Sequence, residues 1–580
     1  MALADRPEVL DRLVTDRRVV DVVVIGSGYG AGVCAARLAE AGADVYVLER
    51  GREFSPTDGA RPFPDSAGEI RRNVQLDGTR FRREHRLGLY NFHVGPDLDV
   101  VVGCGLGGTS LINANVTIAP DPRVFQHDRW PAAIRTEAAD GALDRYFRRA
   151  WDVLGPAQYP GSRATPRKLA AMERNGAKRC FLNVHFGPAP ASSIGVPQPG
   201  CTDCGDCVTG CNVGAKKTLC FTYLPIAKSF GAKIFVQCDV QHLERRDGVW
   251  EVHFQRLETG SEAVEATMVL RARTVIVGAG VMGTTGILLR SRELALPLAA
   301  DLGGCVSGNG DAFAFAYACD ERLDSVGTGA APDPANPVGA TILGLIDRRR
   351  GPLEDGLLLE EGAFPSGTAS LLRKLVALAA GHAGMEPQHG FLHWFRDRVA
   401  DGRDLFGFDP DDDALNRTLL FLVMGHDGAD GIIELDRDRR AKVTWPALRN
   451  RGVFGAENAA VRAIAERLGG MFVPDPLNTP LFMNNLITVH PLGGCPMGDS
   501  PTRVVDHAGR VRSDNGTLHD GLYVADASVI PTSLGVNPLW TISALAERIA
   551  AHAAVDLRLA PTLADVKASS ILNPGTAVRP

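Results

Sequence analysis

The sequence predicts an α/β fold built around a parallel sheet, and three observations carry that reading. A β-branched run, Val19–Ile25, broken only by Asp21, leads straight into the glycine turn Gly26-Ser27-Gly28-Tyr29-Gly30-Ala31. A helical stretch at 33–41 and a second apolar run at 44–48 complete a strand–helix–strand unit, whose two strands must run the same way. A further buried strand at 274–277, again ending in glycines, lies far along the chain, so the sheet is assembled from distant pieces.

The remaining elements follow in order. Residues 233–237 and 250–255 read as strands of a hairpin-rich section. The stretch 306–480 has mixed composition, with helices expected at 369–381 and 456–469 and strands at 418–424 and 431–435. A strand at 521–525 and an alanine-rich helix at 539–553 close the fold. The expected organisation is a discontinuous nucleotide-binding domain with a first part at 19–305 and a closing part at 481–556. A second domain at 306–480 separates them, and a tail covers 557–580. A cysteine-rich insert at about 198–222 interrupts the first part.

Composition narrows the function classes. The chain has 580 residues, 45% hydrophobic and 22% charged, enough to bury a sizeable core. Its formal charge of −6 comes with no basic block, which argues against nucleic acid as a partner. There is no apolar run long enough for a membrane span. The start, Met-Ala-Leu-Ala-Asp-Arg-Pro-Glu, lacks the apolar core of a secretory signal. Of the twelve cysteines, five fall within 201–220 and the rest are scattered, unlike a disulfide framework. The expected home is a reducing cytoplasm.

The glycine turn matches G-x-G-x-x-G/A. Gly26 permits the tight turn, Gly28 lets the backbone approach a pyrophosphate, and Ala31 allows close packing of helix on strand. The helix N-terminus then faces the anion. Glu49 ends the second strand where an acid can hold a ribose hydroxyl pair. A dinucleotide is therefore expected, and the turn serves NAD and FAD equally.

Chemistry gathers in the last ninety residues. His490 stands in Val-His-Pro-Leu-Gly-Gly at 489–494, and Asn537 in Leu-Gly-Val-Asn-Pro at 534–538, just before the terminal helix. A histidine titrates near neutral pH and can take a hydroxyl proton, while an amide can fix the oxygen. Together with the glycine turn, these segments resemble the glucose–methanol–choline (GMC) flavoprotein oxidoreductases, and the Val-Asn-Pro wording is most similar to their cholesterol oxidase branch.

That resemblance implies FAD and a Rossmann-like FAD-binding domain, with a mixed α+β substrate domain on an antiparallel sheet. It assigns the second glycine segment, 102–113, to the flavin, with Gly105 and Gly108 letting the backbone lie against the ring and Asn113 matching the family's asparagine. The segment 274–283 resembles the family's second signature, without its usual Ser-Pro wording, and Asp526 matches the acid near the ribityl chain. No histidine stands at 103–115, where some relatives attach the flavin, so dissociable FAD is expected. The segment 360–367 is similar to a glutamate-containing loop of cholesterol oxidases, which points to Glu360 beside the substrate, with Glu361 as the fallback and Asp427 as a weaker polar candidate. The implied activity is oxidation of a hydrophobic alcohol, a sterol among the options, with electrons passing to oxygen or an external acceptor. Lyase-type chemistry on a flavoprotein, or an electron-transfer role with a vestigial alcohol site, are the alternatives.

Cys201, Cys204, Cys207 and Cys211 form C-x2-C-x2-C-x3-C, the spacing with which ferredoxins ligate an iron–sulfur cluster. Asn212 replaces the usual proline, and there is a single such run. Spacing alone leaves a cluster, a zinc ion and unligated or disulfide-linked cysteines all open.

Overall fold

The strand Val19–Ile25 is buried along nearly its whole length, as a central strand covered on both faces must be. The computed structural model describes residues 2–56, 60–78, 85–187, 196–383, 414–476 and 485–560. Val19–Ile25 pairs in parallel with Val45–Leu48 on one side and with Val264–Val277 on the other. The resulting eight-stranded sheet has six strands in the order Lys233–Phe235, Val45–Leu48, Val19–Ile25, Val264–Val277, Val249–Leu257, Cys238–Arg246, and branches at Val264–Val277 to Leu518–Val524, which in turn pairs with Arg510–Arg512. Val264–Val277 changes partner along its length. It lies antiparallel to Val249–Leu257 up to Ala272, and its last residues lie parallel to 522–524 of the strand Leu518–Val524. The closing part of the chain thus returns to the sheet that the first part began.

Helices Tyr29–Glu40 and Leu539–Asp556 pack together beside this sheet. Arg37 of the first donates to both carboxylate oxygens of Glu547 of the second at 2.8–2.9 Å, and the Tyr223 hydroxyl donates to the same carboxylate at 2.7 Å. Two-pronged geometry with further hydrogen bonds is what allows such a pair to be buried.

The second sheet is antiparallel throughout, six strands ordered Met471–Pro474, Ala312–Tyr317, Leu419–Met424, Leu358–Gly362, Gly344–Asp347, Lys178–Arg179. Helix Gly452–Arg467 covers one face with Val461, Ile464 and Ala465, a helical stripe set against Leu359, Phe421 and Val423.

Several expected elements shift. The helix expected at 33–41 begins at Tyr29, directly on the glycine turn, and is preceded by a helix at Pro7–Thr15. Lys233–Phe235 joins the parallel part of the large sheet, and the hairpin partner of Val249–Leu257 is Cys238–Arg246, which alternates too weakly to stand out. Leu419–Met424 and Ile432–Leu435 both form but do not pair, since the second belongs to a separate ribbon with Ala441–Thr444. Helices form at Ala369–Ala383 and Gly452–Arg467. The expected boundary at 480/481 and the tail beyond residue 560 lie outside the described residues. Among the described residues, no helix is long and apolar enough to cross a membrane.

Candidate active site

The glycine turn has the geometry of a phosphate cradle. Gly26 takes a left-handed backbone (φ +91°) as the chain passes the strand end at Gly278. Gly28 forms the N-cap of helix Tyr29–Glu40 and offers no side chain to its free N–H groups, and a Cβ built there would meet nothing within 4 Å. These first-turn donors are open to an anion, so the turn fits a dinucleotide pyrophosphate. Ala31 packs on Gly278, where a Cβ would come within 2.8 Å of its own. Gly30 has a role that the motif alone does not reveal: a Cβ there would lie 1.7 Å from the carbonyl oxygen of Ala525.

The second glycine segment closes over the first. A Cβ on Gly108 would lie 2.9 Å from the Gly28 Cα, and Gly105 lies so close to Gly51 that a Cβ on the latter would meet it at 2.4 Å or less. The small residues at 105–108 therefore serve the contact between turns as well as any approach to a ring. Ser27 ties the pieces together, donating to Glu49 Oε2 at 2.6 Å and accepting from the Gly107 N–H at 2.9 Å. Burial raises the Glu49 carboxyl above its ordinary range despite these bonds and one from the Gly51 N–H. The Asn113 amide donates to the Tyr29 hydroxyl at 2.8 Å. Asp526 is buried at the end of Leu518–Val524, where it accepts from Gly280 N–H, Thr284 Oγ1 and the N–H and hydroxyl of Ser528. It thereby binds the 274–283 segment to the closing strand.

His490, Asn537 and Glu360 converge. His490 Nδ1 bonds Asp311 Oδ1 at 3.0 Å, while Asp311 Oδ2 accepts from the N–H groups of Val489 and His490 and from Thr488 Oγ1. Burial alone would lower His490, but Asp311, with a smaller contribution from Glu360, outweighs it and holds the imidazole above its ordinary value. Asn537 Nδ2 donates to Glu360 Oε2 at 3.2 Å. Asn537 Oδ1 and Glu360 Oε1 are buried with no hydrogen-bond partner among the described residues. Burial pushes the Glu360 carboxyl up to about 7.

Both glutamates lie on the strand Leu358–Gly362, not on a loop as expected, and both are fully buried. The fallback is corrected here, because Glu361 points away from His490. It pairs with Lys168 at 2.6 Å, both side chains shielded from solvent, and accepts from the N–H groups of Leu343 and Gly344. A carboxylate with its lone pairs so engaged is a structural group. Asp427 also meets no site atom. It accepts from Ser307 Oγ, Gly310 N–H and Ala429 N–H, pinning the turn that carries Asn309 and Asp311.

Two positioning residues were missed. Asp311 orients His490, and Asn309 clamps the 534–536 turn, its Oδ1 accepting from Leu534 and Gly535 N–H and its Nδ2 donating to the Val536 carbonyl. Neither stands in a motif; the Gly308-Asn309-Gly310-Asp311 turn, at which the second sheet begins, is the signal that could have found them. The four cysteines of the insert line one cavity of about 40 Å³.

Comparison with known proteins identifies the family. Family models described as GMC oxidoreductase match residues 88–292 and 477–546, and one described as FAD binding domain matches 21–58. A cholesterol oxidase of Mycobacterium tuberculosis is 30% identical, covering 91% of this chain and 90% of the relative. A cholesterol oxidase of Acinetobacter baumannii is 26% identical over 91% and 93%, and a long-chain-alcohol oxidase of Arabidopsis thaliana 23% over 91% and 65%. Pyridoxine 4-oxidase from Mesorbium loti shares the fold, with a TM-score of 0.57 at 16% identity, over 92% of this chain and 98% of that one. With both GMC oxidoreductase models and the FAD binding domain model matched, and a 30% identical relative covered over 90% of its length, the chain belongs to the GMC oxidoreductase family, on its cholesterol-oxidase-like branch, and is an FAD-dependent oxidoreductase of CH–OH donors.

Proposed function

We propose that the substrate is a hydrophobic secondary alcohol of the sterol class, and that His490, Asn537 and Glu360 carry the reaction. The observation that carries this reading is the juxtaposition of the Asp311–His490 pair with the Glu360–Asn537 pair in one buried site. FAD, when bound, supplies the hydride acceptor, with Gly26, Gly28, Ala31, Glu49, Gly105, Gly108, Asn113 and Asp526 proposed to hold it. The bond from Nδ1 to a carboxylate acceptor keeps the ring proton on Nδ1, which leaves the Nε2 lone pair to take the hydroxyl proton. Asp311 then stabilises the imidazolium. The Glu360 carboxyl, which burial keeps protonated up to about pH 7, and the Asn537 amide bonded to it hold the substrate oxygen in place while His490 takes its proton.

The apolar setting supports a hydrophobic substrate. Leu345 and Leu422 are the cross-strand neighbours of Glu360, so the sheet face around the acid is aliphatic. The cholesterol oxidases among the relatives point the same way. Electrons then leave to oxygen or to an external acceptor, the second route having a candidate carrier site at the cysteine cavity.

An anaerobic panel of alcohols, monitored by flavin absorbance, tests the substrate class. Sterols and other bulky secondary alcohols are expected to bleach the flavin, and short polar alcohols to leave it oxidised. Fastest bleaching by a sugar or a small polar alcohol would remove the sterol reading.

A further inference from the structure

We infer that Cys201, Cys204, Cys207 and Cys211 hold a cubane iron–sulfur cluster beside the cofactor loop. The run winds around the cavity because Asp203, Gly205 and Gly210 take left-handed backbone, turning thiols at three- and four-residue spacing toward one space. All four are free thiols. The Asp203 N–H already points at the Cys201 sulfur at 3.4 Å, the kind of donor that stabilises a ligated thiolate.

The spread of the sulfurs separates a cluster from a single ion. A tetrahedral zinc with Zn–S bonds of about 2.3 Å would draw its sulfurs to about 3.8 Å from one another. No three of these sulfurs lie within 4.8 Å of one another; among the described residues, the group that does close so tightly is His242, Glu244 and His253, on a different hairpin. A cubane instead spreads its thiolates to its corners around a core. The cavity of about 40 Å³ has room for roughly three water-sized spheres before any side chain moves.

A second, independent observation is the charge beside the cavity. Lys216 lines it and is fully buried, yet its three protons go to the carbonyl oxygens of Leu111, Asn113 and Cys207, at 3.0, 2.6 and 3.1 Å. No carboxylate meets this ammonium among the described residues, and a buried cation in that state calls for an anionic neighbour. A cluster ligated by four thiolates is such a neighbour. The same lysine bonds the loop carrying Asn113, so the site adjoins the FAD cradle without depending on the substrate assignment.

The test is metal content. FAD-loaded protein, purified and treated anaerobically with ferrous iron and sulfide and then desalted, is expected to retain about four irons and four sulfides per FAD. Broad visible absorbance that falls on dithionite should accompany them. Cys204→Ser and Cys207→Ser should each lose most of the iron, and Cys220→Ser should keep it, with FAD content reporting the fold of each variant. The wild-type count decides even if a variant fails to fold: less than one iron per FAD, or zinc alone at one per chain, overturns the cluster. Equal iron in wild type and a folded Cys207→Ser also overturns it.

Discussion

Glu360 and Glu361 occupy adjacent positions on a strand whose successive side chains face opposite ways, so one reaches the site and the other the interior beneath Lys168. Their substitutions should separate cleanly. Below the ordinary carboxyl value of 4.5, folded and unfolded chains both hold the Glu360 proton; between there and about 7 only the unfolded chain releases it. Stability is therefore lost as pH rises through that window, and Glu360→Gln should recover it, on the order of 1–3 kcal/mol at pH 8 and nothing at pH 4 by urea unfolding. Flavin reduction in that variant should slow. Glu361→Gln should instead cost about 3–5 kcal/mol, because it leaves the Lys168 ammonium buried without its counter-charge. Equal stability of the two variants at pH 8 would contradict these opposite placements. His490 and Asn537 stood out as candidates because each lies in a distinctive turn, whereas the split between the glutamates could not be read. Two acids in a row read as a solvated loop, and only the apolar run Leu357-Leu358-Leu359 ahead of them hints at a buried strand.

The fingerprint glycines differ in the same instructive way at the level of elements. Gly28 caps its helix facing open space, and its extended backbone suits a β-branched residue. Gly28→Val should fold and fail to retain FAD, since the new methyls would fill the open space proposed for the pyrophosphate. At Gly30 any side chain collides with the Ala525 carbonyl, so Gly30→Val should misfold, measured as lost soluble yield and lost cooperative unfolding. A well-folded Gly30→Val, or Gly28→Val with full flavin content, would show that these roles are misassigned. The strand–turn–helix unit was readable because its period changes at the glycines. The hairpin strand Cys238–Arg246 and the ribbon strand Ala441–Thr444 were obscured, since half-exposed strands with mixed charge carry little alternation.

Over the whole molecule, the site lies where the two sheets meet. Asp311 stands just before the second sheet's strand Ala312–Tyr317, Glu360 lies within that sheet, and His490 and Asn537 belong to the closing segment. The junction is stitched by pairings of 306 with 431 and of 307 with 492, contacts far apart in sequence. That separation is why Asp311 and Asn309 could not be read from the chain: each acts on a residue nearly two hundred or more positions away, with no local pattern to mark it. The central claim is that His490, oriented by Asp311, takes the substrate proton. It is tested most directly by anaerobic stopped-flow reduction of the bound flavin across pH, with the fastest alcohol, in wild type, Asp311→Asn and His490→Ala. Wild-type reduction should accelerate as pH rises through an inflection above the ordinary imidazole value, because the base must be neutral. Asp311→Asn removes the charge that raises His490, so the inflection should move to lower pH and the plateau should fall. His490→Ala should retain FAD, lack the inflection and react roughly 10²–10⁴-fold more slowly. Reduction of His490→Ala at the wild-type rate with the same pH profile would contradict the account.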